Sequence, residues 1–192
     1  MCIPILRRLL FRKPKTLITP SVQGFVARTV EGAATDEEKI LKLYNRFAGV
    51  QYISPDVDLP PPRWVIPEEV IEIIEAKKLS VVKPKLYCSD TACAFLACCQ
   101  AVGLQDKVRC LVSQLQFILG RRGHCWIMVL WYDDQWHHLE PARGEPVEKL
   151  IDAFDRMPDQ WVVEGFVEYL YPKESGIGGI YDNVNDIPQL MR

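Results

Sequence analysis

The sequence predicts a single α+β domain in which one buried helix packs on a mainly antiparallel sheet. Residues 89–102 carry only one charge, that of Asp90, and a helix that is apolar on all sides is a buried one. Residues 108–140 alternate in character as strands do, with a turn signal at 133–134. The 192 residues are 48% hydrophobic and 25% charged, as in ordinary globular proteins, and no stretch approaches the roughly 20 apolar residues of a membrane-spanning helix.

Charge and composition divide the chain into three segments. We expect a basic N-terminal arm and irregular entry over 1–34, a globular domain over 35–174 and a loop-rich tail over 175–192. Five basic residues and no acid lie in 1–15, which leaves 18 basic against 25 acidic side chains in the remainder. The arm is expected to contact a partner or an anionic surface, the alternative being a frayed terminus without a role. The acidic remainder lacks a basic stripe, so no nucleic-acid partner is expected.

The cysteine content predicts reduced thiols. Seven cysteines are an odd number, and Cys98 and Cys99 are adjacent, which is unlike a disulfide framework. Such a chain is expected in the cytoplasm, where thiols stay reduced.

Two helices precede the buried one. Thr35 and Glu38 form a capping-box pattern at the start of the first, and Gly49 ends it. After a proline-rich loop at 54–62, the second begins at Pro67, a favourable first-turn residue. Apolar residues at helical spacing mark the two buried faces. These are Ile40, Leu43, Tyr44 and Phe47 in the first, and Val70, Ile73 and Ile74 in the second.

Cys88 stands at the N-terminus of the buried helix, which Gly103 ends. Strands are predicted around 108–112 and over 124–132, 135–140 and 161–171, with a helix over 146–156 between the last two.

Three residues have the chemistry of thiol catalysis: Cys88, His124 and Glu140. The exposed N–H groups and positive end of a helix favour a thiolate at Cys88. If opposed residues in the hairpin sum to 266, Trp126 faces Glu140, and His124 and Glu140 share a face as diagonal neighbours. An odd sum would place them on opposite faces.

The sequence resembles the transglutaminase-like superfamily, which is related to papain, in four motifs that occur in the family's order over residues 35–142. The core-helix motif reads C-S-D-T-A at 88–92 and is followed by G-L at 103–104 and V-R at 108–109. The other three are H-C-W at 124–126, W-H-H-L-E-P at 136–141 and W-V-I-P-E-E at 64–69, the last being similar to small bacterial and phage members.

The resemblance implies a papain-like core and a cysteine-dependent amide hydrolase acting on a protein or peptide. It makes Cys88 the nucleophile, His124 the general base and acid, and Glu140 the group that orients the imidazole. Trp64 and Trp126 are the candidates for lining the oxyanion or substrate site, with core packing as the alternative for Trp126. No cofactor and no metal are expected.

The chain departs from the family pattern at two points. Leu86 and Tyr87 replace the usual Gly-Asp before the cysteine, and Glu140 stands where aspartate is commoner. The altered residues before Cys88 leave open a non-catalytic binding module. Acyl transfer to an amine also remains open; hydrolysis is preferred because the chain lacks room for the flanking domains of large transglutaminases.

A zinc site is the remaining alternative at these positions. Its ligands would be His124, Cys125, His137 and His138. It is disfavoured because neighbouring strand residues point to opposite faces and the chain has no C-x-x-C pair.

Overall fold

A computed structural model describes residues 16–48, 51–52, 65–76, 85–117, 120–142, 144–155 and 179–187. Within these ranges the chain has a mixed α+β architecture. The helices are α1 (Pro20–Thr29), α2 (Asp36–Phe47), α3 (Pro67–Ala76) and α4 (Cys88–Ala101). The strands are β1 (Gln51–Tyr52), β2 (Lys85–Leu86), β3 (Val108–Phe117), β4 (Gly120–Leu130), β5 (Trp136–Leu139) and β6 (Gly179–Tyr181).

The main sheet has four antiparallel strands in the order β5-β4-β3-β6. In the β4–β5 hairpin Ile127 pairs with Leu139 and Met128 with His138, which is the register whose partners sum to 266. Of the two cases that the sequence left open, the structure has the one that places His124 and Glu140 on the same face. A separate parallel pair joins β1 to β2 directly before α4.

Helix α4 forms the centre of the core, since every residue from Cys88 to Cys99 is buried. It packs against α1, α2 and α3 and against β3 and β4. One face of the sheet joins this core through alternating residues. These are Val108, Cys110 and Val112 of β3, Cys125, Ile127 and Val129 of β4, and Leu139 of β5.

The two predicted amphipathic helices are confirmed. Thr35 caps α2 by accepting a hydrogen bond from the N–H of Glu38, and the four predicted apolar residues are its buried face. Glu38 reaches back to the N–H of Ala34, one residue before the cap. Helix α3 begins at Pro67 as predicted and buries Val70 and Ile74, while Ile73 is half-buried.

The irregular entry predicted within 1–34 is wrong for Pro20–Thr29, which form α1. Thr19 caps this helix and Pro20 is its first residue. Its buried face contains Val22, Phe25 and Val26. A stripe of three residues is too short to give clear periodicity, and the cap and first-turn proline were the signals available in the sequence.

The predicted helix over 146–156 is also wrong. Residues 144–155 contain only a short 3₁₀ helix, Leu150–Asp152. The side chain of Asn45 in α2 accepts from the N–H of Val147 and donates to its carbonyl, each at 2.9 Å. Because both backbone groups of Val147 are engaged across the domain, they are not available to a helical ladder.

The tail predicted as loop contributes structure over 179–187. Strand β6 pairs with β3, and a 3₁₀ helix follows at Val184–Asp186. The basic arm at 1–15, the loop at 54–62, Trp64, and the strand predicted over 161–171 lie outside the described residues. Among the described helices, none has the length and apolar character to cross a membrane.

Candidate active site

Cys88 is the first residue of α4, as the sequence predicts. It follows β2 by one residue, so the parallel β1–β2 pair and the buried side chain of Leu86 fix the backbone that leads into it. The side chain of Cys88 is buried but retains 8% exposure, unlike Cys93, Cys98 and Cys99 further along the helix, which have none. Cys88 therefore keeps a small exposed area at the start of a buried helix.

Asp90 holds the start of this helix in place. One carboxylate oxygen accepts from the N–H of Tyr87 at 3.0 Å, and the other accepts from the N–H of Val65 at 2.9 Å. The carboxylate is buried, which raises its pKa, while the two N–H donors act in the opposite direction. Asp90 thus ties the segment before α3 to the residue that precedes Cys88.

His124 and Glu140 form a buried pair. Nε2 of His124 lies 2.5 Å from Oε2 of Glu140, and each side chain is only 4% exposed. The second oxygen of Glu140 accepts from the N–H of Ala142 at 3.1 Å, which fixes the carboxylate. His124 is the fifth residue of β4 rather than its first, and Glu140 directly follows β5. The register places the two as diagonal neighbours.

The structure also brings Cys88 to His124. Burial acts to lower the pKa of His124, but negative charge at Cys88 and at Glu140, with hydrogen bonds to both, raises it to about 10. Nε2 faces Glu140, and His124 is also hydrogen-bonded to Cys88. This electrostatic setting stabilises the positively charged form of His124.

Trp126 supports the imidazole from one side. Its ring stacks on that of His124 with centroids 5.5 Å apart and an interplanar angle of 19°. Its indole N–H donates to Nδ1 of His138 at 2.9 Å. Burial lowers the pKa of His138, which keeps this nitrogen available as an acceptor. Trp126 is fully buried, so it borders the site from inside the protein.

His138 is the residue of this group that sequence reasoning missed, since the sequence indicated it only as a ligand of the disfavoured zinc site. The observed register opposes His138 to Met128 and makes it a diagonal neighbour of Trp126. The even-sum register was the signal in the sequence that could have found this pair. The link from Asp90 to Val65 had no local signal, because the two residues are distant in sequence.

The four residues of the alternative zinc site do not converge. Cys125 belongs to the face of the sheet that packs on α4, whereas His124 belongs to the other face. His137 is bonded through its two ring nitrogens to Asp133 and Asp155, at 3.0 and 2.9 Å. Within the described residues, the group with metal-ligating spacing is instead Cys93, Cys110 and Cys125.

Comparisons with known proteins place the chain in no family. No protein-family model matches it, and no curated protein matches it.

Proposed function

We propose that the protein is a cysteine-dependent amide hydrolase of the transglutaminase-like, papain-related type. The observation that carries this proposal is the arrangement of Cys88, His124 and Glu140, in which a buried imidazole meets a carboxylate on one side and a helix-terminal thiol on the other. Nucleophile, base and orienting group are the parts that covalent thiol catalysis requires.

In the first step the Cys88 thiolate attacks the carbonyl carbon of an amide. The N–H groups at the start of α4 have no acceptor within the helix and are suited to hold the developing oxyanion. His124 then donates its Nδ1 proton to the nitrogen of the leaving amine, the C–N bond breaks, and a thioester remains on Cys88.

In the second step His124, now neutral, accepts a proton from water as the water attacks the thioester. The acid is released and the thiolate–imidazolium pair is restored. Glu140 keeps the ring oriented in both steps and stabilises its positive charge whenever the ring is protonated. Hydrolysis of the thioester requires that water reach the site, whereas transfer to an amine requires that water be excluded from it.

Selective alkylation tests the activated thiol. Iodoacetamide near pH 6, followed by peptide mapping, should modify Cys88 far faster than the other cysteines, because only a thiolate reacts readily. The Cys88→Ala variant should lose this labelling, and Cys98→Ala, which changes a buried thiol of the same helix, should keep it. Slow and uniform labelling would favour a non-catalytic binding module.

Paired assays then distinguish the two reactions. Release of new termini from a peptide library should depend on Cys88 and remain in Cys98→Ala. A labelled primary amine supplied in the same reaction measures transfer. Amine incorporation without cleavage would contradict hydrolysis and leave the thioester chemistry intact.

A further inference from the structure

A second cluster of thiols lies in the core, apart from the candidate active site. Cys93 of α4, Cys110 of β3 and Cys125 of β4 converge so that their sulfur atoms all lie within 4.8 Å of one another. The sulfurs of Cys110 and Cys125 are 3.2 Å apart. Neither the proposed catalytic steps nor a disulfide accounts for this cluster, since all three cysteines are free.

The fold brings the three together from distant positions. In the β3–β4 register Cys110 opposes Ile127 and Cys125 opposes Val112, so the two cysteines are diagonal neighbours on one face. That face packs on α4, which supplies Cys93 from above the pair. Three ligands on three rigid elements make a preorganised site rather than one assembled from loops.

We propose that Cys93, Cys110 and Cys125 bind one soft thiophilic cation, copper(I). When three sulfur atoms bind one ion at about 2.3 Å, they lie about 3.7–4.0 Å from one another. This separation falls between the 3.2 Å of the Cys110–Cys125 pair and the 4.8 Å within which all three sulfur atoms lie. Thiolates select copper(I), zinc and iron–sulfur clusters over harder cations.

The number of ligands distinguishes copper(I) from zinc. Structural zinc sites are almost always four-coordinate, and among the described residues the group offers three sulfur atoms without a histidine or carboxylate as a fourth ligand. Copper(I) is satisfied by three sulfurs. Its single charge also suits a site in which the three residues are at most 2% exposed, because a monovalent ion needs fewer thiolates for neutrality.

Binding is an exchange of protons for metal without electron transfer. Copper(I) displaces a proton from at least one thiol and ends bonded to the three sulfur atoms, with its oxidation state unchanged. Because the site is sealed, the ion enters during folding or through transient opening of the core. The experiment therefore loads the full chain both in its native state and during refolding.

Anaerobic titration with copper(I), buffered by a competing chromogenic chelator, tests the site. We expect one equivalent per chain and sulfur-to-copper charge-transfer absorption in the ultraviolet. We also expect a higher melting temperature, because the preorganised site in the folded state binds the ion more tightly than the unfolded chain does. Cys110→Ala should lose the equivalent. Cys98→Ala and Cys88→Ala should keep it, since their thiols lie outside the cluster.

X-ray absorption on the loaded parent chain gives a readout that does not depend on how the variants fold. Three sulfur neighbours and no nitrogen or oxygen support the proposal. The proposal is overturned by failure to bind in both loading regimes, by retention of the ion in folded Cys110→Ala, or by its loss in Cys88→Ala. Tighter binding of zinc, with a fourth light-atom ligand, would overturn the assignment to copper(I).

Discussion

At the scale of single residues, the three histidines of the chain occupy three different electrostatic settings. The pKa of His124 is raised to about 10, since charge and hydrogen bonds at Cys88 and Glu140 outweigh burial. The pKa of His137 is raised chiefly by its hydrogen bond to Asp155, with Asp133 adding to it. The pKa of His138 is lowered by burial. The pKa values of the neighbouring residues His137 and His138 are therefore shifted in opposite directions.

A proton NMR titration of the histidine rings should resolve this order. His138 is expected to titrate first as the pH rises, below 6.5, followed by His137 above 6.5, and His124 last, near 10. Single His→Asn variants would assign the three signals.

The Cys88→Ala variant tests whether Cys88 contributes to the high pKa of His124. Removing the thiolate removes a negative charge beside His124, so its pKa should fall by about 1–3 while that of His137 stays in place. An unchanged titration of His124 in this variant would contradict the proposed contact with Cys88.

Asp90 is the residue whose loss should most disturb the entry to α4. Asp90→Ala leaves the half-buried N–H groups of Tyr87 and Val65 without their acceptor, at a cost of about 1–3 kcal/mol in the free energy of unfolding. Urea denaturation measures it. Asp106→Ala, at an exposed turn, is the matched control and should change stability by less than about 0.5 kcal/mol. Equal changes in the free energy of unfolding in the two variants would show that the hydrogen bonds of Asp90 do not stabilise the fold.

At the scale of elements, α4 ends in a Schellman motif. Gly103 has φ +80°, its N–H donates to the carbonyl of Gln100, and the N–H of Leu104 donates to that of Cys99. Leu104 is then buried against the core. The glycine predicted to end the helix therefore does so through its left-handed backbone.

Two glycine-to-alanine changes should act in opposite directions. Gly103→Ala has open space for its Cβ but must adopt positive φ, which should cost about 1–2 kcal/mol. Gly24→Ala lies inside α1, where the Cβ makes an ordinary 3.5 Å contact with Arg28, and should stabilise by about 0.5–1 kcal/mol. Thermal unfolding of the two variants beside the parent tests the contrast; a shift of the same sign in both would refute it.

At the scale of the whole molecule, residues 179–187 join the start of the described chain to its sheet. The side chain of Gln100 donates to the carbonyl of Asp182 and accepts from the N–H of Val184. Asn185 accepts from the N–H of Leu17, 168 residues away. These bonds make residues 179–187 a structural part of the domain.

Val184→Ala should therefore reduce global stability. The side chain has no exposure, and removing two methyl groups with partial relaxation of the cavity should cost about 1–3 kcal/mol. Ile180→Ala, in the same segment but 49% exposed, should cost less than about 1 kcal/mol. Chemical denaturation followed by two probes measures both; a Val184→Ala loss confined to a local transition would contradict the cooperative role.

Much of the fold and of the candidate site was predictable because the signals are local. Capping residues marked the start of α2, the continuous apolar run identified α4 as buried, and Gly103 marked its end. Alternation within the hairpin predicted that His124 and Glu140 share a face if opposed residues sum to 266, and the structure has this sum.

The features that sequence reasoning missed depend on contacts between distant segments. Asn45 holds Val147 out of a helix, and Gln100 draws 179–187 onto the sheet edge; neither bond has a signature in the local sequence. The same is true of the bond from Asp90 to Val65, and of the three cysteines that meet between α4 and the strands.

The sequence by itself determined which residues have side chains suited to thiol catalysis and which stretches form the buried helix and the hairpin. Side-chain type belongs to the single residue, and periodicity belongs to residues that are near one another in the chain. Only the tertiary structure decided that the thiol and the imidazole meet, that Trp126 stacks on the imidazole, and that a second set of thiols converges in the core. Those distances depend on how the helix is placed on the sheet, and that placement comes from packing over the whole domain.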